Sequence, residues 1–252
     1  MRRISGALFL LVATASLAQE SAAEISKKSR ERGSLNLVDL AAELRLTTTS
    51  KDGKIKEQVL TSAAKKVNGR DSSIARFSLP IAVAGVAVLT VAGEANEPDD
   101  ISIFLPKLKR VRKVAKSDRG KAFMDTDFSY ADLGGTAADD DKVVKLPDAK
   151  TEGRDCYTLK GAPNEDSPYG EVTLWVDKES YVPMRVEYQD KEGKPFKVYR
   201  TLKLKKFKDR VLAAESQMEN LQSGSKTRVE VLKIEDNKLG DEAFSERGLE
   251  RG

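Results

Sequence analysis

Three carboxylates and a phenol stand close together in "DTDFSYAD", as Asp125, Asp127, Tyr130 and Asp132. Paired acids can pass a proton or hold a cation, and little else in this composition could do chemistry. The chain has no histidine. That removes Ser-His-Asp and Cys-His nucleophile pairs, the H-E-x-x-H zinc helix and any imidazole base. No glycine-rich phosphate loop is present. The one cysteine, Cys156 in "RDCYTL", cannot form an internal disulfide and reads as a small apolar residue on a buried strand. Asp125 and Asp127 lack further spaced ligands, so they specify no metal, and Asp127 is placed to cap the turn that follows. No catalytic residue, metal or cofactor is assigned.

The neighbours of these acids are unusual. Phe123, Met124, Phe128 and Tyr130 crowd around them in a chain that is only 6% aromatic. A strongly basic stretch, "LPKLKRVRKV", comes just before. Such a mixture suits a catalytic pocket, a lid over an apolar cavity, or plain core, and the rest of the chain must decide.

The start, "MRRISGALFLLVATASLAQE", has Arg2 and Arg3, an apolar run and the small-residue pattern Ser16-Leu17-Ala18. This predicts a signal peptide over residues 1–18, because the run is too short to span a membrane. An exported, periplasmic protein follows. No cysteine adjoins the cleavage point, so no lipid anchor is expected. Lys and Arg number 44 against 40 Asp and Glu; without Arg2 and Arg3 the mature balance is 42 to 40. Nothing global points to nucleic acid. Residues 19–252 are expected to form one domain, held by its core alone.

Period-two alternation dominates that domain. "AELRLTTTSKDGKIKEQVLTS" alternates, turns at Asp52-Gly53 and alternates again, a hairpin signal. "SSIARFSLP", "DISIFLP" and "KRVRKV" read as strands. "IAVAGVAVLTVAG" (81–93) reads as a strand buried on both faces. From Tyr169 onward the chain reads strand, turn, strand to "SKTRVEVLKIED". "ESAAEISKKSRER" predicts a short helix ended by Gly33, "DEAFSERGLE" a helical tail, and "GGTAADDD" (134–141) a loop. The expected fold class is mainly β: a large, curved antiparallel sheet. Charge on one face of "TLKLKKFKDR", without aromatic girdles, argues against an outer-membrane barrel. The apolar face therefore needs a cover, and the N-terminal helix and segment 121–133 are the candidates.

"LPKLKRVRKV" followed by "FMDTDFSYADL", then "LWVDKESYVPMRVEYQDKEGKPFKVY" and the closing strands, resembles the outer-membrane lipoprotein-sorting protein family, relatives of the LolA carrier. The resemblance covers nearly the whole mature chain. Asp125 stands where that family usually has glycine. The resemblance implies a LolA/LolB-like incomplete barrel with covering helices and an apolar cavity that shields acyl chains of a lipoprotein or phospholipid. It also implies work beside an inner-membrane RND-type transporter and an outer-membrane acceptor. On this reading Phe123, Met124, Phe128 and Tyr130 belong to the cover. Val86, Val88, Leu89, Ile103, Leu105, Leu174 and Trp175 are wall candidates. Arg110, Arg112 and Lys113 are candidates to meet a head group or partner. A monomer without catalysis is expected. The alternatives are an accessory module of the transporter that binds protein, or a lipid esterase built on Asp125, Asp127 and Asp132.

Overall fold

The computed structural model describes residues 20–32, 37, 39–94, 97–133, 142–163 and 167–251. The expected signal peptide and the loop 134–141 lie outside the described residues.

Among the described residues, thirteen strands form one antiparallel sheet. They are β1 (Leu40–Thr49), β2 (Ile55–Val67), β3 (Arg70–Leu79), β4 (Ala87–Val91), β5 (Asp100–Leu105), β6 (Arg110–Lys113), β7 (Val144–Thr151), β8 (Arg154–Gly161), β9 (Glu171–Asp177), β10 (Pro183–Gln189), β11 (Pro195–Phe207), β12 (Arg210–Asn220) and β13 (Ser225–Asp236). Hairpins join most neighbours in sequence. Two of them turn on left-handed pairs, Asn68-Gly69 and Glu152-Gly153, whose twist matches that of the strands they connect. The exception to neighbour pairing is decisive: β1 pairs with β13, from Leu40 opposite Asp236 to Thr49 opposite Lys226, with one register shift between Glu43 and Leu44. The sheet order is therefore β6-β5-β4-β3-β2-β1-β13-β12-β11-β10-β9-β8-β7. β6 and β7 are its two edges, so the chain between them must travel from one edge to the other.

The sequence reading of 81–93 needs correction. Only Ala87–Val91 is strand, buried as far as Thr90, whereas residues 80–85 form a turn that carries Ile81 at 90% exposure. Gly85 sits at φ 82 in that turn, a left-handed conformation that glycine adopts without strain.

Period two gives the sheet two faces to dry. The outer face of β2–β6 carries Ala63, Ile74, Ala87 and Leu89, and the C-terminal helix α2 (Glu246–Arg251) closes it with Phe244 and Leu249. Arg76 donates to the carbonyls of Gly248 and Leu249 and so ties that helix down. The N-terminal helix α1 (Ala22–Arg32) opens with a capping box, in which Ser21 and Glu24 each accept the other's backbone N–H. It lays Ile25 on Leu159 and Val176. No described helix is long and apolar enough to cross a membrane.

The "WVDK" stretch owes its pattern to one buried anion. Asp177 accepts two bonds from Arg154, at 2.8 and 2.9 Å, and two from Ser180. Burial opposes its ionisation, but Arg154 and Ser180 outweigh burial and hold the carboxyl below the usual range. A depressed pKa contributes stability that is present above the unfolded carboxyl's range and lost as pH falls through the folded value. Arg154→Met, which strands the charge, is expected to cost about 3–5 kcal/mol in guanidinium unfolding at neutral pH. The deficit should narrow on acidification as Asp177 takes up a proton. Cys156 is fully buried beside it, and burial pushes its thiol up to about 11. It should resist iodoacetamide at neutral pH until denaturant is added.

Candidate functional site

The inner face of the sheet is apolar across both halves. In one half Val86, Val88, Ile101 and Ile103 pack with Leu44, Leu46, Leu60 and Phe77. In the other, Val172, Val186, Tyr188, Tyr199 and Met218 pack with Tyr169 and Leu174. Segment 121–133 crosses this face. Phe123 is buried 5.6 Å from Phe77 and makes an edge-on contact with Tyr130 at 5.7 Å, ring centre to ring centre. Met124, Tyr130 and Leu105 pack partly buried on the first cluster, and Phe128 touches both clusters. Nine of the predicted residues thus come together: Val86, Val88, Ile103, Leu105, Phe123, Met124, Phe128, Tyr130 and Leu174.

Leu89 and Trp175 do not join them. Leu89 follows Val88 on the same strand, so it points to the outer face and packs near Phe244 and Leu249. Trp175 follows Leu174 and likewise faces out, with the Arg185 guanidinium 5.7 Å from its ring. Adjacent strand residues cannot line one wall. Arg110, Arg112 and Lys113 are exposed on the edge strand β6; Arg110 and Arg112 flank Val111, which packs in the outer cluster, and Lys113 shares the parity of Val111.

The segment is held by a few polar contacts. Residues 122–129 form a tight hairpin, with Phe123 N–H donating to Phe128 O at 2.7 Å and Thr126 N–H to Phe123 O at 2.9 Å. Its tip, Met124 and Asp125, has φ of 49° and 59°. That is the left-handed region, which explains why glycine suits position 125. Lys56 and Gln58 donate to Met124 O, and Lys56 pairs with the exposed Asp125. Asp127 was expected to cap the next turn. Instead its carboxylate accepts from Ser225 and from Thr227 (2.7 Å), and its N–H donates to the Thr227 hydroxyl at 2.9 Å. With that hydroxyl proton on Asp127, Thr48, 2.9 Å away, donates to Thr227.

Asp132 is the third acid, in the short 3-10 helix Tyr130–Leu133. Its carboxylate accepts from Ser129 N–H (2.6 Å), the Ser129 hydroxyl (2.9 Å) and the Tyr169 hydroxyl (2.6 Å), and pairs with Lys197 at 3.4 Å. Lys197 also donates to the Tyr169 oxygen at 3.3 Å. The side chains of Asp132 and Lys197 are only 3% and 5% exposed. Burial, and then the Asp132 charge, push the Tyr169 phenol well above its ordinary range, so it stays a donor at neutral pH. The three acids therefore answer to three different partner groups and do not converge on one reacting point. Among the described residues, no three of His, Cys, Asp and Glu are grouped to hold a metal ion. A separate groove of about 390 Å³ lies on β11–β13, but Lys203, Lys205, Glu215 and Glu230 line it alongside leucines.

Sequence reasoning missed Thr227, Tyr169 and Lys197. Thr227 shares parity with Val229 on its strand, a signal that was readable. Lys197 was hidden because Phe196 and Val198 suggest that the opposite parity faces in.

Comparison with known proteins agrees with this geometry. A family model described as "-like: Uncharacterized protein" matches residues 69–251. No curated protein matches the chain by sequence. A solved domain described as outer membrane lipoprotein-sorting, from Vibrio parahaemolyticus, is 25% identical, with 91% of this chain and 98% of that one covered and a TM-score of 0.81. A DUF1329 family protein from Desulfovibrio piger is 21% identical over 90% and 97%, with a TM-score of 0.82. A LolA superfamily protein from Nitrosomonas europaea is 18% identical over 90% and 98%, with a TM-score of 0.71. The latter two likenesses speak to fold alone. The chain belongs to the family of that model, and its open thirteen-stranded sheet shares its fold with the solved lipoprotein-sorting domain and the LolA superfamily protein.

Proposed function

We propose that the chain is a periplasmic carrier that shields the acyl chains of a lipid or lipoprotein on the inner face of its sheet, without catalysis. One observation carries this: a continuous apolar face is covered by a segment outside the sheet, fastened by a few polar contacts. Each CH₂ withdrawn from water gains roughly 0.8 kcal/mol. Acyl chains therefore outweigh the hydrogen bonds at the Asp127 carboxylate, worth about 1.5–3 kcal/mol apiece, whereas the buried Asp132–Lys197 pair costs more to part. Phe123, Met124, Phe128 and Tyr130 leave the face as cargo enters, and Val86, Val88, Ile103, Leu105 and Leu174 receive it. Flexible methionine and flat aromatics adapt to disordered chains.

The leader, residues 1–18, is removed on export, and 19–252 work as one domain. Arg110, Arg112 and Lys113 meet anionic head groups or a partner, with Ile81 and Leu108 exposed on neighbouring turns. Donor and acceptor are an inner-membrane transporter of the RND type and an outer-membrane component. The reading as a protein-binding module gains from the close packing of Phe77 and Phe123, and the experiment below separates the two.

Native mass spectrometry of the mature protein from the periplasm, followed by organic extraction, should find an acylated molecule bound. A clean apo mass that does not change when lipid is offered would sink the carrier reading. Thr227→Val removes the hydroxyl under Asp127 at constant shape. It should speed amide exchange in residues 122–129 by about tenfold or more, the scale of one buried hydrogen bond. Exchange in β1 and β13 should stay slow; a rise throughout would make the segment ordinary core.

A further inference from the structure

The pair of Lys197 and Asp132 is out of place on an apolar face. Lys197 projects from β11 among Tyr169, Tyr188, Tyr199 and Met218, and the described partners of its ammonium are Asp132, the Tyr169 oxygen and the aromatic rings of Tyr169 and Phe196. Asp132 belongs to the cover, whereas Lys197 and Tyr169 belong to the wall side. When the cover leaves, the wall keeps a cation and a phenol donor and loses the one oxyanion that partners them among the described residues. A buried charge without a partner is costly, and an uncharged acyl chain cannot relieve it. Cargo with an oxyanion at the end of its acyl chains satisfies both the apolar wall and Lys197.

We infer that Lys197 and the Tyr169 hydroxyl form the head-group anchor for an anionic acyl lipid, a phosphodiester or a carboxylate, and that Asp132 occupies this anchor while the cover is shut. The inference rests on the carrier reading and narrows it: the chain selects charged lipids over uncharged acyl groups. Asp132 is a competitor built into the chain. Its carboxylate takes one bond from the Tyr169 O–H and one from the ammonium, which is what a phosphate or fatty-acid oxygen would take in its place.

The test uses the mature full chain and matched probes that differ only in charge. These are dioleoylphosphatidylglycerol against dioleoylglycerol, and oleate against methyl oleate, with glycerophosphate as a head group lacking chains. Bound fractions are read by native mass spectrometry. The wild type should retain at least one charged lipid about tenfold better than its uncharged match, the scale of a charge-assisted hydrogen bond. Whichever pair shows the preference names the head group. Lys197→Met alone strands Asp132 and could unfold the chain. The double variant Asp132→Asn with Lys197→Met removes both charges, and Tyr169→Phe removes only the hydroxyl. In the double variant the ratio should fall to near one, and in Tyr169→Phe it should fall partway. Equal retention of charged and uncharged lipids by the wild type overturns the inference and leaves the carrier reading standing. A preference that survives in the double variant also overturns it. Retention of glycerophosphate alone overturns it in favour of a soluble-anion site. Retention of no lipid overturns both readings.

Discussion

The pairing of β1 with β13 sets the rest of the architecture. It places the first and last strands side by side at the centre of the sheet, so the chain grows outward from both and ends at two distant edges. An antiparallel sheet of this width has two faces, and hairpins cover neither. The short C-terminal helix dries part of the outer face, and the N-terminal helix dries β8 and β9. The N-terminal helix lies on the inner face, since Val176 shares its parity with Val172 and Leu174, and segment 121–133 crosses the rest of that face. The chain covers that remainder with the stretch that must travel between its two edges.

The crossing stretch is chemically suited to that position. Its aromatics enter the apolar clusters, while its acids find partners spaced across the sheet: Lys56 on β2, Ser225 and Thr227 on β13, Tyr169 and Lys197 near β11. Apolar contact provides most of the adhesion, and the polar contacts fix where the stretch lies. Exchanging the apolar contacts for a ligand of similar greasiness costs little. The buried Asp132–Lys197 pair is different, because separating it without a substitute leaves an uncompensated charge.

Much of this was legible in the residues. Alternation and the Asp52-Gly53 turn pointed to the strands and the sheet class, and the aromatic cluster at 123–130 was a candidate cover. The hairpin of β7 and β8 was harder to read, because Pro147 and the charges in "DKVVKLPDAKTEGRD" dilute its alternation. Leu89 and Trp175 were misplaced through choosing apolar residues without enforcing their parity. The Asp127–Thr227 and Asp132–Lys197 contacts were out of reach for another reason. They join residues about 100 and 65 positions apart. Only the register of β11 and β13 brings them under the crossing segment, and no local pattern encodes that register.

A cover of this origin differs from a hinged flap. It is continuous with both edge strands, so it has no free end and can only bow outward. The chain available for the arc is fixed by the residues between Lys113 and Val144. Anything that lifts the segment must draw on that slack or pull the two edges closer. Once that slack is taken up, further lifting bends the sheet as a drawn string bends a bow. On the proposed carrier reading, a loaded chain therefore differs from an empty one in the bend of its whole sheet.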